Sequence, residues 1–161
     1  MPSWQLISIY ESLMEMGDEF GLKDFGGQAF NSMRLEKMYR AYGAEFTEEI
    51  SALEAGMERF LDLNRDFIGA DNIRERISSG IKTKLAYLIF DDQVPAECFG
   101  NEAVFSDGEL TGIITSGAYG HRVGHSIAFA YLKTEHCNDG ANLTVETSLG
   151  SRSCHVSMNA S

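Results

Sequence analysis

TKLAYLIF, residues 83–90, is a continuous apolar run that ends at two aspartates, Asp91 and Asp92. A run of this length between polar residues is typical of a strand that is covered on both faces. Before it, apolar residues recur at helical spacing; after it, they lie in short segments with a period near two. The sequence therefore predicts a change from helices to a sheet near residues 80 to 83.

Downstream of this run, the sequence contains five short β-rich segments: EAVF, ELTGIITS, SIAFAYL, NLTVETSL and RSCHVSM. Turn signals separate them, namely SDG (106–108), GAYG (117–120), NDG (138–140) and GS (150–151). In the fourth segment, Leu143 and Val145 alternate with Thr144 and Glu146. This pattern favours a small antiparallel β-barrel.

Upstream, helical periodicity predicts three helices, over about residues 4–17, 28–39 and 66–80. Asp71 in the first turn and Gly80 at the end support the third one. The fold class is therefore expected to be α+β, with a helix-rich lobe over residues 1–80 and a β-barrel domain over residues 81–161.

Composition limits the possible partners. The chain has 13 basic and 24 acidic residues, a formal charge of -11, so its field repels phosphate backbones and anionic lipids. We therefore expect no nucleic-acid and no membrane partner. Three cysteines without CxxC spacing fit a reducing compartment, and neither a signal peptide nor a long apolar span is present, so the expected location is cytoplasmic.

Spacing alone assigns no catalytic or metal site. His121 and His125 lie four residues apart, but the glycines beside them favour a turn and a strand over the helix that would bring both rings to one metal. Cys154 and His155 are neighbours, and on a strand their side chains point to opposite faces, which argues against a Cys–His nucleophile pair.

Four blocks carry a resemblance to a known family: SMRLEKMYRAYGAEF (32–46), LEAGMERFLDLNRDFIG (53–69), LTGIITSGAYGHRVGHSIAFAYL (110–132) and LTVETSLGSRSCHV (143–156). Together they resemble the folate-binding aminomethyltransferases, the glycine-cleavage T-protein family. Within that family, their sequences are more similar to the module of dimethylglycine and sarcosine dehydrogenases. The resemblance implies a partial helix-rich lobe of the aminomethyltransferase folate-binding fold, followed by the small antiparallel β-barrel.

The resemblance also implies an activity in one-carbon metabolism. The family transfers a one-carbon unit from a methylated amine or a glycine-derived aminomethyl group to tetrahydrofolate, the expected cofactor; FAD is expected only if an oxidoreductase domain precedes the module. The family's catalytic aspartate, its folate-stacking tyrosine and its pteridine-binding acid lie upstream of the region that this chain resembles. The chain is therefore expected to be a C-terminal portion, inactive alone, that has the upstream part of its parent protein as a partner and is prone to self-association.

Within the matching blocks, Arg34 corresponds to the arginine of the family's RLE motif, which lies near the folate site. Its guanidinium could pair with a ligand carboxylate or with a neighbouring acid that ties the helix to the next lobe. Tyr42, Glu54 and Arg122 are weaker folate-binding candidates, and no catalytic or metal-binding residue is assigned. The alternative function is a non-catalytic interaction or small-ligand-binding module on the same fold.

Overall fold

A computed structural model of the chain describes residues 2–96 and 98–159. The chain divides into two compact units, Met1–Phe30 and Asn31–Ser161. The expected domain boundary between residues 80 and 81 stays a prediction.

The first unit is built around helix α1 (Leu6–Gly17), with a 3-10 turn on either side. Gly21, with a φ of 67°, turns the chain back after the second of these. The returning chain lies close to the end of α1, because a Cβ at Gly17 would lie 2.4 Å from Cδ2 of Leu22. Further along, the Tyr10 hydroxyl donates a hydrogen bond to the Asp24 carboxylate, 2.5 Å away. Helix α2 (Gly27–Glu36) begins in this unit and ends in the second.

The second unit contains helix α3 (Ala70–Ser79) and a closed antiparallel β-barrel. Around the barrel, the strand order is β1-β4-β3-β2-β5-β6, so β1 contacts both β4 and β6. The strands are β1 (Thr83–Phe90), β2 (Ala103–Ser106), β3 (Glu109–Gly120), β4 (His125–Lys133), β5 (Asn142–Thr147) and β6 (Gly150–Ser157). The predicted α+β class with a small antiparallel barrel is confirmed.

The strand β1 is covered on both faces, as its apolar run predicts. Its even-numbered residues Ala86, Leu88 and Phe90 belong to the cluster that fills the barrel, with side chains from the other strands. Leu85 and Tyr87 point the other way and pack with Leu35 of α2 in a second cluster. The C-terminal end of α2 is thereby held against the wall that β1 and β4 form.

Three local predictions need correction. The third helix begins at Ala70 and not at residue 66, because Gly69 has a φ of 90° and interrupts helical geometry. The second helix ends at Glu36, before residue 39. GAYG (117–120) is not a turn: it forms the end of β3, and the turn lies at residues 121–124. Gly117 serves close packing, since a Cβ there would lie 2.4 Å from the Cys98 carbonyl oxygen.

The last turn signal is also displaced by two residues. Residues 148 and 149 form the turn, and Gly150, with a φ of 106°, already begins β6. Within residues 2–96 and 98–159, no helix has the length and apolar character needed to cross a membrane.

Candidate ligand site around Arg34

Two hydrogen bonds fix the C-terminal half of α2 on the edge of β3. Nδ2 of Asn31 donates to the Gly117 carbonyl at 3.0 Å, and Oγ of Ser32 donates to the Tyr119 carbonyl at 2.7 Å. These carbonyls are two residues apart and therefore point to the same edge of the strand. The helix is held at two points, and this places the Arg34 side chain.

The Arg34 guanidinium is buried and largely committed to the protein. The residue is 8% exposed. Its Nε donates to Oδ1 of Asn31 at 2.9 Å, and Nη1 donates to the Tyr39 carbonyl at 3.0 Å and to Oε2 of Glu45 at 2.9 Å. Among the described residues, no hydrogen bond involves Nη2. The guanidinium is therefore oriented through Nε and Nη1.

Glu45 is fully buried, and both of its carboxylate oxygens are occupied. Oε2 accepts from Arg34 and from the backbone N–H of Ala41, at 2.8 Å. Oε1 accepts from the hydroxyl of Thr115 at 2.9 Å and from that of Ser116. Burial of a carboxylate requires such partners. Glu45 is therefore a structural anion that joins the segment after α2 to strand β3.

Tyr131 of β4 adds a further bond to the same segment, from its hydroxyl to the Glu45 backbone carbonyl at 2.8 Å. Burial raises the pKa of Tyr131, and the charge of Glu45 adds to this effect, so the phenol stays protonated and keeps donating.

Sequence reasoning missed Glu45 and its hydroxyl partners Thr115 and Ser116. Glu45 follows α2 in a segment without regular periodicity, so no pattern marks it as buried. The sequence gives a weak indication of its partners Thr115 and Ser116, because the segment ELTGIITS places hydroxyl residues inside an otherwise apolar strand. A buried hydroxyl there needs an acceptor, and Glu45 supplies it.

Glu54, another predicted site residue, has protein partners of its own. It accepts from the Ser51 hydroxyl at 2.6 Å, from the Ser51 backbone N–H at 2.9 Å and from Nη1 of Arg76 at 3.0 Å. Burial alone would raise the pKa of Glu54, but the bonds from Ser51 and Arg76 outweigh it and hold the pKa below its ordinary value. Among the described residues, no hydrogen bond or ion pair joins Glu54 to Arg34.

The two remaining candidates have exposed side chains. Tyr42 is 80% exposed and forms an isolated backbone bridge with Phe46. Arg122 lies in the turn between β3 and β4, and its backbone N–H donates to Oε1 of Glu36 at 2.7 Å. The structure thus places Tyr42 three residues before Glu45 in the same loop, whereas Arg122 meets the end of α2.

The histidine and cysteine motifs occupy structural positions. His121 lies in the turn and His125 on β4, where its Nδ1 is 2.9 Å from the Phe90 carbonyl oxygen. Cys154 points into the barrel, whereas Nδ1 of His155 on the opposite face is 2.8 Å from Oδ1 of Asp91. In the part of the chain that the structure describes, no group of three or more His, Cys, Asp or Glu side chains is arranged to hold a metal ion.

Comparisons with known proteins agree with this architecture. The model of the GCVT N-terminal domain matches residues 1–65, and that of the glycine cleavage T-protein C-terminal barrel domain matches residues 84–159. The aminomethyltransferase T of the glycine cleavage system from Bartonella henselae has a similar fold, with a TM-score of 0.83 and 21% identity over 99% of this chain and 44% of that one.

Curated relatives give closer sequence matches. Mitochondrial dimethylglycine dehydrogenase of Mus musculus is 39% identical over 142 residues, which are 86% of this chain and 16% of that protein. An aminomethyltransferase of Corynebacterium aurimucosum is 34% identical over 127 residues, 78% of this chain and 34% of the relative. The chain therefore spans between about a sixth and a third of the length of these relatives.

The helices and closed antiparallel barrel define an aminomethyltransferase-type fold. The chain belongs to the glycine cleavage T-protein family, and it resembles the module within dimethylglycine dehydrogenase as well as the separate aminomethyltransferases. Because one relative is named mitochondrial, a cytoplasmic location stays a prediction.

Proposed function

We propose that this chain supplies the Arg34 contact to tetrahydrofolate in a complete aminomethyltransferase module. In that module, a methylated amine or a glycine-derived aminomethyl group donates the one-carbon unit, and FAD takes part only where an oxidoreductase domain is present. The observation that carries the proposal is the state of Arg34: Nε and Nη1 are fixed by the protein, and no described residue bonds to Nη2. Such a pre-oriented guanidinium is suited to a planar acceptor or a carboxylate of the ligand.

The same geometry argues that the chain alone does not catalyse the transfer. The reaction needs a group that controls proton transfer at the amine. Glu45 is the carboxylate in contact with Arg34, and four donors occupy its oxygens. The Tyr131 phenol is bonded to backbone, and its raised pKa keeps it from acting as a base near neutral pH. The folate-binding roles of Tyr42, Glu54 and Arg122 are part of the same proposal.

The role of Arg34 is tested by titrating the complete aminomethyltransferase module with tetrahydrofolate and measuring its affinity by NMR or calorimetry. Arg34→Lys keeps the positive charge but loses the planar, forked guanidinium. We therefore expect tetrahydrofolate to bind at least about tenfold more weakly, which corresponds to the loss of one charge-assisted hydrogen bond. Arg74→Lys is the matched control: it makes the same exchange at an arginine of α3 that pairs with Asp71, so binding should change little.

Two results would contradict the proposal. One is a folded Arg34→Lys variant with unchanged affinity for tetrahydrofolate. The other is formation of methylenetetrahydrofolate from an aminomethyl donor by the 161-residue chain, which would show that its own residues suffice for catalysis.

A second candidate, a small-ligand-binding module on the same fold, is favoured by a separate cavity of about 330 Å³. Leucine and isoleucine side chains line most of it, and Glu58 and Arg76 add charge; the apolar residues are Leu53, Leu61, Leu63, Ile77 and Ile81. A ligand there would be apolar with one polar end. Binding that depends on Ile77 and not on Arg34 would favour this function.

A further inference from the structure

The side chain of Asn31 on α2 contacts both strand β3 and the Arg34 guanidinium. Nδ2 of Asn31 donates to the Gly117 carbonyl at 3.0 Å, and Oδ1 accepts from Nε of Arg34 at 2.9 Å. Asn31 and Arg34 are three residues apart on α2, a spacing that brings two side chains to the same face of a helix. The Asn31 amide therefore bridges the barrel and the guanidinium.

The two neighbours of the Asn31 amide accept only one orientation of it. The Gly117 carbonyl can accept but not donate a hydrogen bond, and Nε of Arg34 can donate but not accept one. An amide serves both, because it carries a donor and an acceptor on one planar group. A carboxylate at this position would place an oxygen against the Gly117 carbonyl, and an alkyl side chain would leave both groups without this partner.

A second branch joins the same strand to the guanidinium through Glu45. The register of β3 against β4 shifts between Ile114 and Ser116, which leaves Thr115 as the extra residue of a β-bulge. Neighbouring side chains of a regular strand point to opposite faces. At the bulge, the hydroxyls of Thr115 and Ser116 both reach Oε1 of Glu45, whose Oε2 accepts from Nη1 of Arg34.

The two branches leave β3 side by side, at residues 115–117, and end on different nitrogens of one planar group. Nε is held through Asn31 and Nη1 through Glu45, so the plane of the guanidinium is fixed. We propose that Asn31 is a positioning residue for folate binding: it sets the plane in which Arg34 meets tetrahydrofolate. This inference rests on the proposed contact between Arg34 and tetrahydrofolate, and Asn31 acts through Arg34.

Ser32 provides a matched control on the same helix. Its Oγ donates to the Tyr119 carbonyl at 2.7 Å, so Ser32→Ala and Asn31→Ala each remove one hydrogen bond between α2 and β3. Both changes introduce alanine, the best helix former, into the same helix. Among the described residues, no hydrogen bond joins the Ser32 side chain to Arg34. A difference between the two variants therefore reports on Arg34 and not on the anchoring of α2.

NMR of the Arg34 Nε–H proton in the 161-residue chain tests the positioning without a ligand. We expect its exchange with solvent to be at least about fivefold faster in Asn31→Ala, which corresponds to the loss of one hydrogen bond. The exchange rate should be unchanged in Ser32→Ala. Equal exchange rates in the two variants would overturn the inference, whatever the affinity for tetrahydrofolate.

Affinity for tetrahydrofolate is then measured in the complete module. We expect Asn31→Ala to weaken binding about 2- to 10-fold, the effect of releasing one ordered side chain, and Ser32→Ala to leave the affinity unchanged. In an Arg34→Lys background, Asn31→Ala should have no further effect, because the group that Asn31 orients is then gone. Asn31→Ser, whose single hydroxyl cannot replace both bonds, should weaken binding as Asn31→Ala does.

The outcomes separate this inference from the proposed function. If Arg34→Lys leaves the affinity unchanged, the proposed contact is wrong, and the role of Asn31 in folate binding is wrong with it. If Arg34→Lys weakens binding but Asn31→Ala does not, or if the effects of the two changes add, the proposed function stands and Asn31 is not a positioning residue. Circular dichroism must show the helix content of the parent protein in every variant.

Discussion

At Glu54, three donors from two residues surround one carboxylate, and this makes a single side chain sensitive to pH. The bonds from Ser51 and Arg76 favour the charged form more strongly than burial disfavours it, so the pKa in the folded chain lies below the ordinary value of 4.5. The unfolded chain lacks these partners. Stability from Glu54 is therefore complete above its unfolded pKa and is lost as pH falls through the folded pKa.

We expect Glu54→Gln to lower the free energy of unfolding by about 1–2 kcal/mol at pH 7, the worth of charge-assisted hydrogen bonds at a partly buried site. The difference from the parent chain should shrink as pH falls below about 4, where the parent carboxylate also becomes neutral. Urea unfolding of both proteins at a series of pH values measures the difference in the free energy of unfolding and its dependence on pH. A difference that stays constant down to pH 3 would show that the charge of Glu54 does not contribute.

The residues of the site show what sequence alone can predict. Arg34 stands in a motif and could be singled out, together with the possibility that it pairs with a neighbouring acid. Its partner could not be named, because Glu45 reaches Arg34 through an irregular loop and meets Thr115 and Ser116 some seventy positions later in the chain. Such contacts depend on tertiary packing, which leaves no periodic signal.

Among the elements, strand β3 shows why the predicted strands were right and one predicted turn was wrong. Continuous apolar runs and apolar alternation both indicate which side chains face a core, so the six strands could be located from sequence. Glycine has two uses that look alike in sequence: it permits a positive φ, as at Gly150, or it permits close approach of another backbone, as at Gly117. Only the structure distinguishes them.

Gly117→Ala should therefore destabilise the barrel by about 1–3 kcal/mol, the usual cost of forcing a methyl group into a packed site. The new Cβ would meet the Cys98 carbonyl oxygen, which is backbone and cannot easily move. Gly27→Ala, at the start of α2, is the control: apart from the adjacent residues and the helix's own backbone, no atom lies within 4 Å of the new Cβ, so stability should be unchanged or rise by up to about 1 kcal/mol. Thermal unfolding of both variants tests this prediction. Equal unfolding midpoints would mean that the backbone at Cys98 moves to make room for the methyl group.

For the whole molecule, the buried pair Arg34–Glu45 matters because it links three separate parts of the second unit. Helix α2 provides the cation, the following loop provides the anion, and β3 provides Thr115 and Ser116. Removing one charge leaves the other buried without compensation, and this lowers the free energy of unfolding more than replacing both charges does.

We expect Glu45→Ala to lower the free energy of unfolding by about 3–5 kcal/mol. Arg34→Ala combined with Glu45→Ala should cost less than the sum of the two single changes, since the pair acts as one unit. Glu58→Ala is a suitable control, because Glu58 pairs with Lys84 at 3.1 Å in an exposed position and should contribute no more than about 1 kcal/mol. Strict additivity of the first two changes in urea unfolding would refute the link.

The strand order of the barrel has a consequence for how the chain emerges from the ribosome. β1 lies between β4 and β6, with Leu88 paired to Val156. Translation delivers β1 first and β6 last, so β1 can pair with β4 while its other edge is still bare. An unpaired edge of apolar residues is a template for strands of neighbouring nascent chains. Release of residues 150–157 from the exit tunnel is therefore the step that closes the barrel and ends this period of exposure to aggregation.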